Sequence, residues 1–204
     1  MPSLFPTAFL PPVQYMAEAA RSDTLVIEDF ETYRKQTCRN HCEIAGPNGR
    51  QILTVPVTKP EGNHTRTRDI RILYDQPWHI LHWRSIETAY NNSPFFLFYQ
   101  DAFRPLFEKR FTFLIDLNQA GMEIILPILN LRVPIAHTLR YEAIPDGSSD
   151  LRQKLGTKHS SASYHFPKYS QVFFPKHPFH PGLSILDTIF NLGPETKEYL
   201  NSVR

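Results

Sequence analysis

The sequence predicts an α/β fold in which a small mixed sheet, begun by a βαβ unit and extended by a hairpin, packs against a block of helices. Three observations predict it: two short strand-like runs flank a helical pattern near the N-terminus, a glycine-rich turn joins two alternating segments, and the middle of the chain carries apolar residues at helical spacing. At 204 residues with 41% hydrophobic content, the chain can bury the core of one domain, residues 1–204.

The predicted βαβ unit opens the chain. Its segments, in order, are a strand at Ala8–Leu10, a turn at Pro11-Pro12, a helix over Val13–Ala20 and a strand at Thr24–Ile27. A connection of this length suits a helical crossover between parallel strands. Ligands of open parallel sheets bind at the carboxyl ends of the strands. We therefore expect residues 10–14 and 28–30 to lie near a ligand site.

A hairpin is predicted next. Residues 42–45 and 51–57 are joined by Gly46-Pro47-Asn48-Gly49, and the second arm alternates in the manner of a half-buried strand. Pro56 lacks an amide hydrogen and therefore marks the end of pairing. A further strand is expected at Ile70–Tyr74.

Helices are predicted through the middle and at the end of the chain. Trp78 begins a helix whose apolar stripe includes His82, so that this histidine points inward. Ser93-Pro94 begins a second, phenylalanine-rich helix that Pro105 breaks, with heavy burial of its rings. A third covers about residues 112–130, and Gly193-Pro194 separates two short final helices. Residues 145–163 are rich in turn formers and are expected to form a loop.

Composition excludes several classes of function. A net charge of +2 is too small to attract nucleic acid or an anionic membrane through the overall electrostatic field of the protein. Recognition of an anion therefore has to depend on a local group of residues. The N-terminal residues lack the cationic start of a signal peptide, and the longest later apolar run, Ile124–Leu129, is too short to span a bilayer. We therefore expect a cytoplasmic protein whose Cys38 and Cys42 are free thiols.

Several motifs occur together along the chain. In order they are Tyr33-x-Lys35-Gln36, Arg39-Asn40, Leu53-Thr54-Val55-Pro56-Val57, His82-Trp83, Pro94-Phe95-Phe96, Tyr169-x-Gln171 and Leu183-Ser184-Ile185-Leu186-Asp187. Taken jointly, the chain resembles the WbqC-like protein family over nearly its whole length. The resemblance implies an association with bacterial surface-polysaccharide and O-antigen gene clusters, and so a role in sugar or lipopolysaccharide assembly. It names no step and no cofactor, and the cofactor is unknown.

The stretch RKQTCRNHC at residues 34–42 is the candidate binding site. Lys35 and Arg39 are four residues apart, a spacing that puts them on one side of either a helix or a strand. They are therefore expected to converge on a phosphate or carboxylate of a small-molecule substrate. Gln36 and Asn40 would supply neutral hydrogen bonds.

Other interpretations of this stretch stay open. Its cations can instead form a solvated face or pair with Glu31 and Glu43. Cys38-x-x-His41-Cys42 does not match the spacing of structural zinc sites, and no metal is predicted. Cationic neighbours would favour a Cys38 thiolate, but the resembled family more often has an aromatic residue there, and usually an arginine at the position of His41.

Downstream residues supply further candidates. His82 is the acid/base candidate, the alternative being a hydrogen-bonded core histidine. Tyr169 and Gln171 either line a sugar-binding surface or pack. Ser184 and Asp187 have the spacing of a reciprocal helix cap. A cluster of three arginines, Arg66, Arg68 and Arg71, is expected to form a solvated edge.

Two functions follow from these residues. The first is an enzyme of surface-sugar biosynthesis that binds an anionic activated donor, a nucleotide sugar or a thioester, and transfers an acyl or aminoacyl group to a sugar. The second is a non-catalytic ligand-binding or scaffold protein in the same process. The strand-turn-helix-strand start also resembles class I nucleotidyltransferases, but Pro12, Gln14 and Tyr15 stand where their paired histidines belong, which argues against nucleotidyl transfer. The sequence leaves the oligomeric state unknown.

Overall fold

The protein has the mixed α/β fold that the sequence predicts. A computed structural model describes residues 2–143, 149–156 and 161–204. In chain order the strands and α-helices are β1 (Pro2–Pro6), α1 (Val13–Arg21), β2 (Thr24–Glu28), β3 (His41–Gly46), β4 (Gly49–Thr54), β5 (Val57–Thr58), β6 (Arg71–Ile72), α2 (Trp78–Tyr90), α3 (Phe96–Phe103), α4 (Pro105–Glu108), α5 (Leu114–Ile128), β7 (Ile135–His137), β8 (Ser149–Asp150), α6 (Arg152–Leu155), α7 (Ile185–Leu192) and α8 (Thr196–Ser202). A parallel sheet has the order β7-β2-β1-β8, and β3–β4 and β5–β6 are separate antiparallel pairs.

The βαβ unit is present, but its first strand begins earlier than expected. β1 pairs in parallel with β2, from Pro2 opposite Thr24 to Pro6 opposite Glu28. The predicted strand Ala8–Leu10 instead forms the connection to α1. Leu10 there has a left-handed backbone with φ of 43°, which a strand cannot accommodate.

The predicted loop at residues 145–163 contains structure that the sequence did not indicate. β8 pairs in parallel with β1, and α6 follows directly. Residues 145–148 and 157–160 of that loop lie outside the described residues. A two-residue strand is too short to show an alternating pattern, so composition alone favoured a loop.

The hairpin prediction is confirmed. β3 and β4 pair from His41 opposite Thr54 to Gly46 opposite Gly49, which leaves Pro47 and Asn48 as a two-residue loop. Pairing ends before Pro56, as expected for a residue without an amide hydrogen. The chain then pairs again through β5 and β6.

Buried side chains of the N-terminal unit, the hairpin, the middle helices and α7 form one hydrophobic cluster. Phe96 and Phe103 on α3 are buried within it, whereas Phe98 is 83% exposed, so the heavy burial expected for all these rings is wrong at that position. Within the described ranges, no helix combines the length and the apolar character needed to cross a membrane.

Candidate functional site

A cavity of about 520 Å³ lies where the N-terminal βαβ unit, the hairpin and residues 161–184 meet. Residues 161–184, which precede α7, are called the closing segment. Described residues lining it are Leu10, Pro12 and Gln14, then Gln36, Thr37, Cys38, His41, Cys42 and Glu43, then Arg50 and Ile52 on β4, and finally Ser161, Gly182 and Ser184. The first group follows β1, where the sequence placed a ligand site. The candidate stretch at residues 34–42 also contributes to the wall.

Backbone strain is concentrated at this cavity. Leu10 and Gln36, both in its lining, have φ values of 43° and 58°. A left-handed backbone costs roughly 1–2 kcal/mol for a residue with a Cβ, and such residues cluster at functional sites. The Ser184 hydroxyl donates to the Leu10 carbonyl at 2.9 Å and accepts from the Leu186 amide at 3.3 Å, as the N-cap of α7. Ser184 therefore fixes the strained turn to the start of a helix.

The structure corrects the expected convergence of Lys35 and Arg39. The Arg39 side chain is 1% exposed, with Nε 2.8 Å and Nη2 2.5 Å from the same oxygen of Glu31. Lys35 is exposed. The chain turns between them because Gln36 is left-handed, so neither helical nor strand spacing applies. Pairing with an acid, the alternative interpretation, describes Arg39.

The two neutral residues of the stretch take different places. The Asn40 side chain is buried and donates to the Val55 carbonyl at 3.1 Å, while the Val55 amide donates to the Asn40 carbonyl at 2.9 Å. Asn40 thus joins the turn to the end of the hairpin. Gln36, by contrast, lines the cavity.

His82 lies in an aromatic environment away from the described cavity lining. Its ring centroid is 5.1 Å from that of Trp78 and 6.3 Å from that of Phe9, and the residue is 8% exposed. Burial, with a smaller contribution from His79, lowers the pKa of His82 to about 4. The imidazole is neutral at physiological pH and cannot serve there as a proton donor in the imidazolium form.

Tyr169 and Gln171 bind a buried carboxylate. The Tyr169 hydroxyl donates to Asp187, and Gln171 Nε2 donates to the same carboxylate at 2.9 Å. Gln171 also exchanges hydrogen bonds with the backbone of His180, at 3.0 and 2.8 Å. These contacts attach the closing segment to α7.

The reciprocal cap predicted for Ser184 and Asp187 is therefore only half present. Ser184 caps α7, but the Asp187 carboxylate is fully buried and directed to Tyr169 and Gln171. Burial raises the pKa of Asp187, and the hydrogen bonds from Tyr169 and Gln171 oppose that rise. Sequence reasoning missed this role, although the single charged residue of a largely apolar helix was a signal for it.

Both cysteines are free thiols. Burial raises the pKa of Cys38 to about 11 and raises that of Cys42 as well. Cys38 Sγ donates weakly to the Leu155 carbonyl at 3.4 Å. Both thiols are thus protonated at neutral pH, which makes them poor nucleophiles. Among the described residues, no group of three or more histidine, cysteine and acidic side chains could hold a metal ion.

Arg50 lines the cavity but lies outside the candidate stretch at residues 34–42, and it was not assigned to a ligand site from the sequence. Arg50 lies 2.6 Å from Glu43 across the hairpin and donates to the Pro181 carbonyl at 2.5 Å. Its side chain is 36% exposed, so the guanidinium is oriented but open to solvent. The signal for Arg50 was its place in the predicted hairpin, since it pairs with Ala45 on β3, the strand that begins with the end of the candidate stretch.

The chain is similar to a known protein family and to a mycobacterial protein. The WbqC-like protein family matches this chain over residues 7–164 and 152–199. The "Uncharacterized protein Rv1507c" of Mycobacterium tuberculosis (strain ATCC 25618 / H37Rv) is 27% identical to it over 225 aligned positions, which cover 96% of this chain and 95% of the relative. No solved structure matches the chain.

Proposed function

Because this chain belongs to the WbqC-like protein family, we propose that it is a cytoplasmic ligand-binding protein of bacterial surface-polysaccharide assembly. Its ligand is a sugar-sized molecule with an anionic group, such as a nucleotide sugar or an acyl thioester. The cavity beside the strained residues Leu10 and Gln36 is the observation that carries the proposal. Its volume of about 520 Å³ falls in the range of small-molecule sites.

The lining suits a polar ligand with a single anionic group. Gln36 supplies a neutral polar side chain to the lining. Arg50 supplies the cation, and its contacts with Glu43 and the Pro181 carbonyl orient it. A guanidinium has five N–H donors, so the remaining edge is able to bind a carboxylate or phosphate.

The site residues predicted from the sequence divide into two groups under this proposal. Gln36 and its exposed neighbour Lys35 belong to the ligand site. Arg39, Asn40, Tyr169 and Gln171 support its wall, since their polar atoms already bind Glu31, Val55 and Asp187. The position of His82 outside the described lining favours binding over acid/base catalysis by that residue.

Group transfer is the second candidate function. One observation favours it: His41 lines the cavity, and histidine is the side chain that most often acts as a general acid or base. The acyl or aminoacyl group would pass from a bound thioester to a sugar hydroxyl. The hydroxyl oxygen would bond to the carbonyl carbon and give its proton to His41, and the thiol would leave with that proton as the C–S bond breaks. His41→Gln would then abolish product formation while keeping the ligand-induced stabilisation.

Thermal unfolding in the presence of nucleotide sugars, acyl thioesters and simple phosphates tests the binding proposal. A ligand at about one hundred times its Kd adds about 2.7 kcal/mol, a shift of a few degrees in a chain of this length. Arg50→Gln should lose the shift. Arg140→Gln should keep it, because Arg140 is also exposed and paired, 2.9 Å from Glu142, but does not line the cavity. A shift that survives equally in both variants contradicts the proposal.

A further inference from the structure

A histidine–aspartate pair lies at the carboxyl ends of two parallel strands, apart from the cavity. His137 is the last residue of β7 and sits opposite Ile27 of β2. Asp29 is two residues beyond Ile27, so its side chain points to the same face of the sheet as His137. Nδ1 of His137 is 3.1 and 3.0 Å from the two carboxylate oxygens, with the side chains 37% and 15% exposed. The carboxylate orients the ring and leaves Nε2 for another partner.

Two arginines lie beside Phe30, the residue that follows Asp29. Residues 65–68 run antiparallel to residues 29–33, through hydrogen bonds of the backbone. Arg66 immediately precedes a 3-10 turn, Thr67–Asp69, that contains Arg68. Both guanidinium groups lie over the ring of Phe30, at 5.8 and 4.8 Å from its centroid. The solvated edge predicted from the sequence is thus an ordered pair of cations on an aromatic surface.

Arg68 and the histidine meet at Asp29. The Arg68 amide donates to the Asp29 carbonyl at 3.0 Å. Burial and the neighbouring Glu28 raise the pKa of Asp29, whereas His137 and Arg68 lower it, as expected for two groups close to one carboxylate. Asp69 is 3.9 Å from Arg68 Nε, a long contact that leaves the other N–H groups of this guanidinium available.

We propose that Arg66, Arg68 and His137 form a second binding site, which takes the phosphate group of a small-molecule phosphate ester. Guanidinium forks match phosphate oxygens, and a ring held at Nδ1 by Asp29 donates from Nε2 when it is protonated. The site occupies the carboxyl ends of β2 and β7, the edge at which parallel sheets bind ligands. The proposal is independent of the cavity, since none of these residues lines it.

Pyrophosphate binding to the full chain, followed by NMR of the histidine ring signals, tests this site. Addition of pyrophosphate should move the signals of His137, identified by their absence in His137→Gln. The double variant Arg66→Gln/Arg68→Gln should bind pyrophosphate at least about tenfold more weakly. Arg71→Gln is the matched control, since Arg71 is also exposed and lies over a ring, 5.5 Å from that of Phe113. Equal affinity in the double variant and the control overturns the proposal, as do unmoved His137 signals.

Further variants separate this site from the cavity and from a lipid surface. In Arg50→Gln, pyrophosphate should still move the His137 signals as it does in the wild type, because Arg50 belongs to the cavity, and loss of that His137 response in Arg50→Gln alone overturns the second site. If the double variant does not fold, Arg66→Lys/Arg68→Lys keeps the charges, loses the planar forks and should still weaken binding. Association with phosphatidic acid vesicles without any response to free pyrophosphate also overturns the assignment, because a free phosphate ester is the proposed ligand.

Discussion

Arg39 is a buried cation whose charge is balanced within the protein. Its guanidinium contacts Glu31, Thr37 and the Gly156 carbonyl. Burial raises the pKa of Glu31, and the attraction of Arg39 opposes that rise. The pair therefore holds the turn at residues 35–40 in place, and either charge alone would be costly in this environment.

Replacement of Arg39 tests this structural role. Arg39→Met should reduce the free energy of unfolding by about 3–5 kcal/mol, because the Glu31 carboxylate would remain buried without a partner. Urea denaturation measures the loss. Arg34→Met, at an exposed position, should change stability by no more than about 0.5 kcal/mol. If the Arg39→Met protein is as stable as the wild type but no longer binds ligand, then Arg39 is a ligand-binding residue and not a structural one.

His82 makes stability depend on pH. Its pKa is lowered from 6.5 to about 4, so the unfolded chain takes up a proton at a higher pH than the folded one. The stabilisation is complete above about pH 6.5 and falls as the pH drops toward 4, by up to about 3 kcal/mol. Urea denaturation at about pH 7 and about pH 4.5 should show a smaller decrease for His82→Phe than for the wild type. His64→Phe, at an exposed position, should retain the wild-type decrease, and identical decreases in all three proteins would contradict the prediction.

Strain at Gln36 predicts an inverted order of two substitutions. The backbone φ of Gln36 is 58°, which glycine adopts without strain and alanine adopts only with strain. The Gln36→Gly protein should therefore be about 1 kcal/mol more stable than Gln36→Ala. Both lose the side chain, which leaves backbone conformation as the difference. Gln119 lies inside α5, and there the Gln119→Ala protein should instead be about 1 kcal/mol more stable than Gln119→Gly. The same order at both positions, measured by urea denaturation, would show that Gln36 is not strained.

The sequence predicted part of the candidate site because some of its signals are local. Residues 10–14 were expected near a ligand site from the βαβ pattern alone, and Gln36 came from the candidate stretch. Arg39 was misplaced because a spacing rule assumes a regular backbone, and Gln36 interrupts it. Arg50 was missed because its proximity to the site arises from hairpin pairing.

At the level of elements, α7 combines a regular helix with one buried acid. Ser184 caps it, and Asp187 on its first turn receives hydrogen bonds from the closing segment. Because that segment approaches α7 largely without regular secondary structure, these bonds help to fix its position, together with that from Arg50 to the Pro181 carbonyl. The attachment in turn places Gly182 and Ser184 in the cavity wall.

Two tyrosines allow the strength of this attachment to be measured. Tyr169→Phe should cost about 1.5–3 kcal/mol in stability, since it removes a donor from a buried carboxylate. Tyr199→Phe is the control: its hydroxyl donates to the neutral Pro167 carbonyl at 2.9 Å and should cost about 1 kcal/mol. Chemical denaturation compares them, and equal losses would mean that Asp187 is not the stronger acceptor.

Elements were predictable from the sequence in proportion to how local their signals are. The hairpin is specified by a turn between two alternating runs, and the middle helices by their apolar spacing. β8 is specified by neither, because it pairs with Ser3 and Leu4 from the opposite end of the chain. The same holds for β1, whose short run Pro2–Pro6 contains two prolines and did not indicate a strand.

At the scale of the whole molecule, the cavity exists because distant parts of the chain meet. Its wall combines residues after β1, the turn before β3, the hairpin and the closing segment. Gly182 lies where the last of these parts packs against the first. A Cβ on Gly182 would lie 2.7 Å from the Ser161 Cβ and 3.3 Å from Gln14 Oε1.

Gly182→Ala should therefore disturb stability and ligand binding together. The backbone φ at this position is 66°, which strains an alanine, and the added Cβ would clash with Ser161. Together these should reduce the free energy of unfolding by about 2–4 kcal/mol. Gly62→Ala separates the two causes, since Gly62 has a φ of 58° with no atom within 4 Å of the added Cβ, and should cost only about 1 kcal/mol. Urea denaturation measures both costs, and the thermal shift with ligand measures cavity closure. If Gly182→Ala is no worse than Gly62→Ala and binds ligand normally, the closing segment does not form a close-packed wall of the cavity.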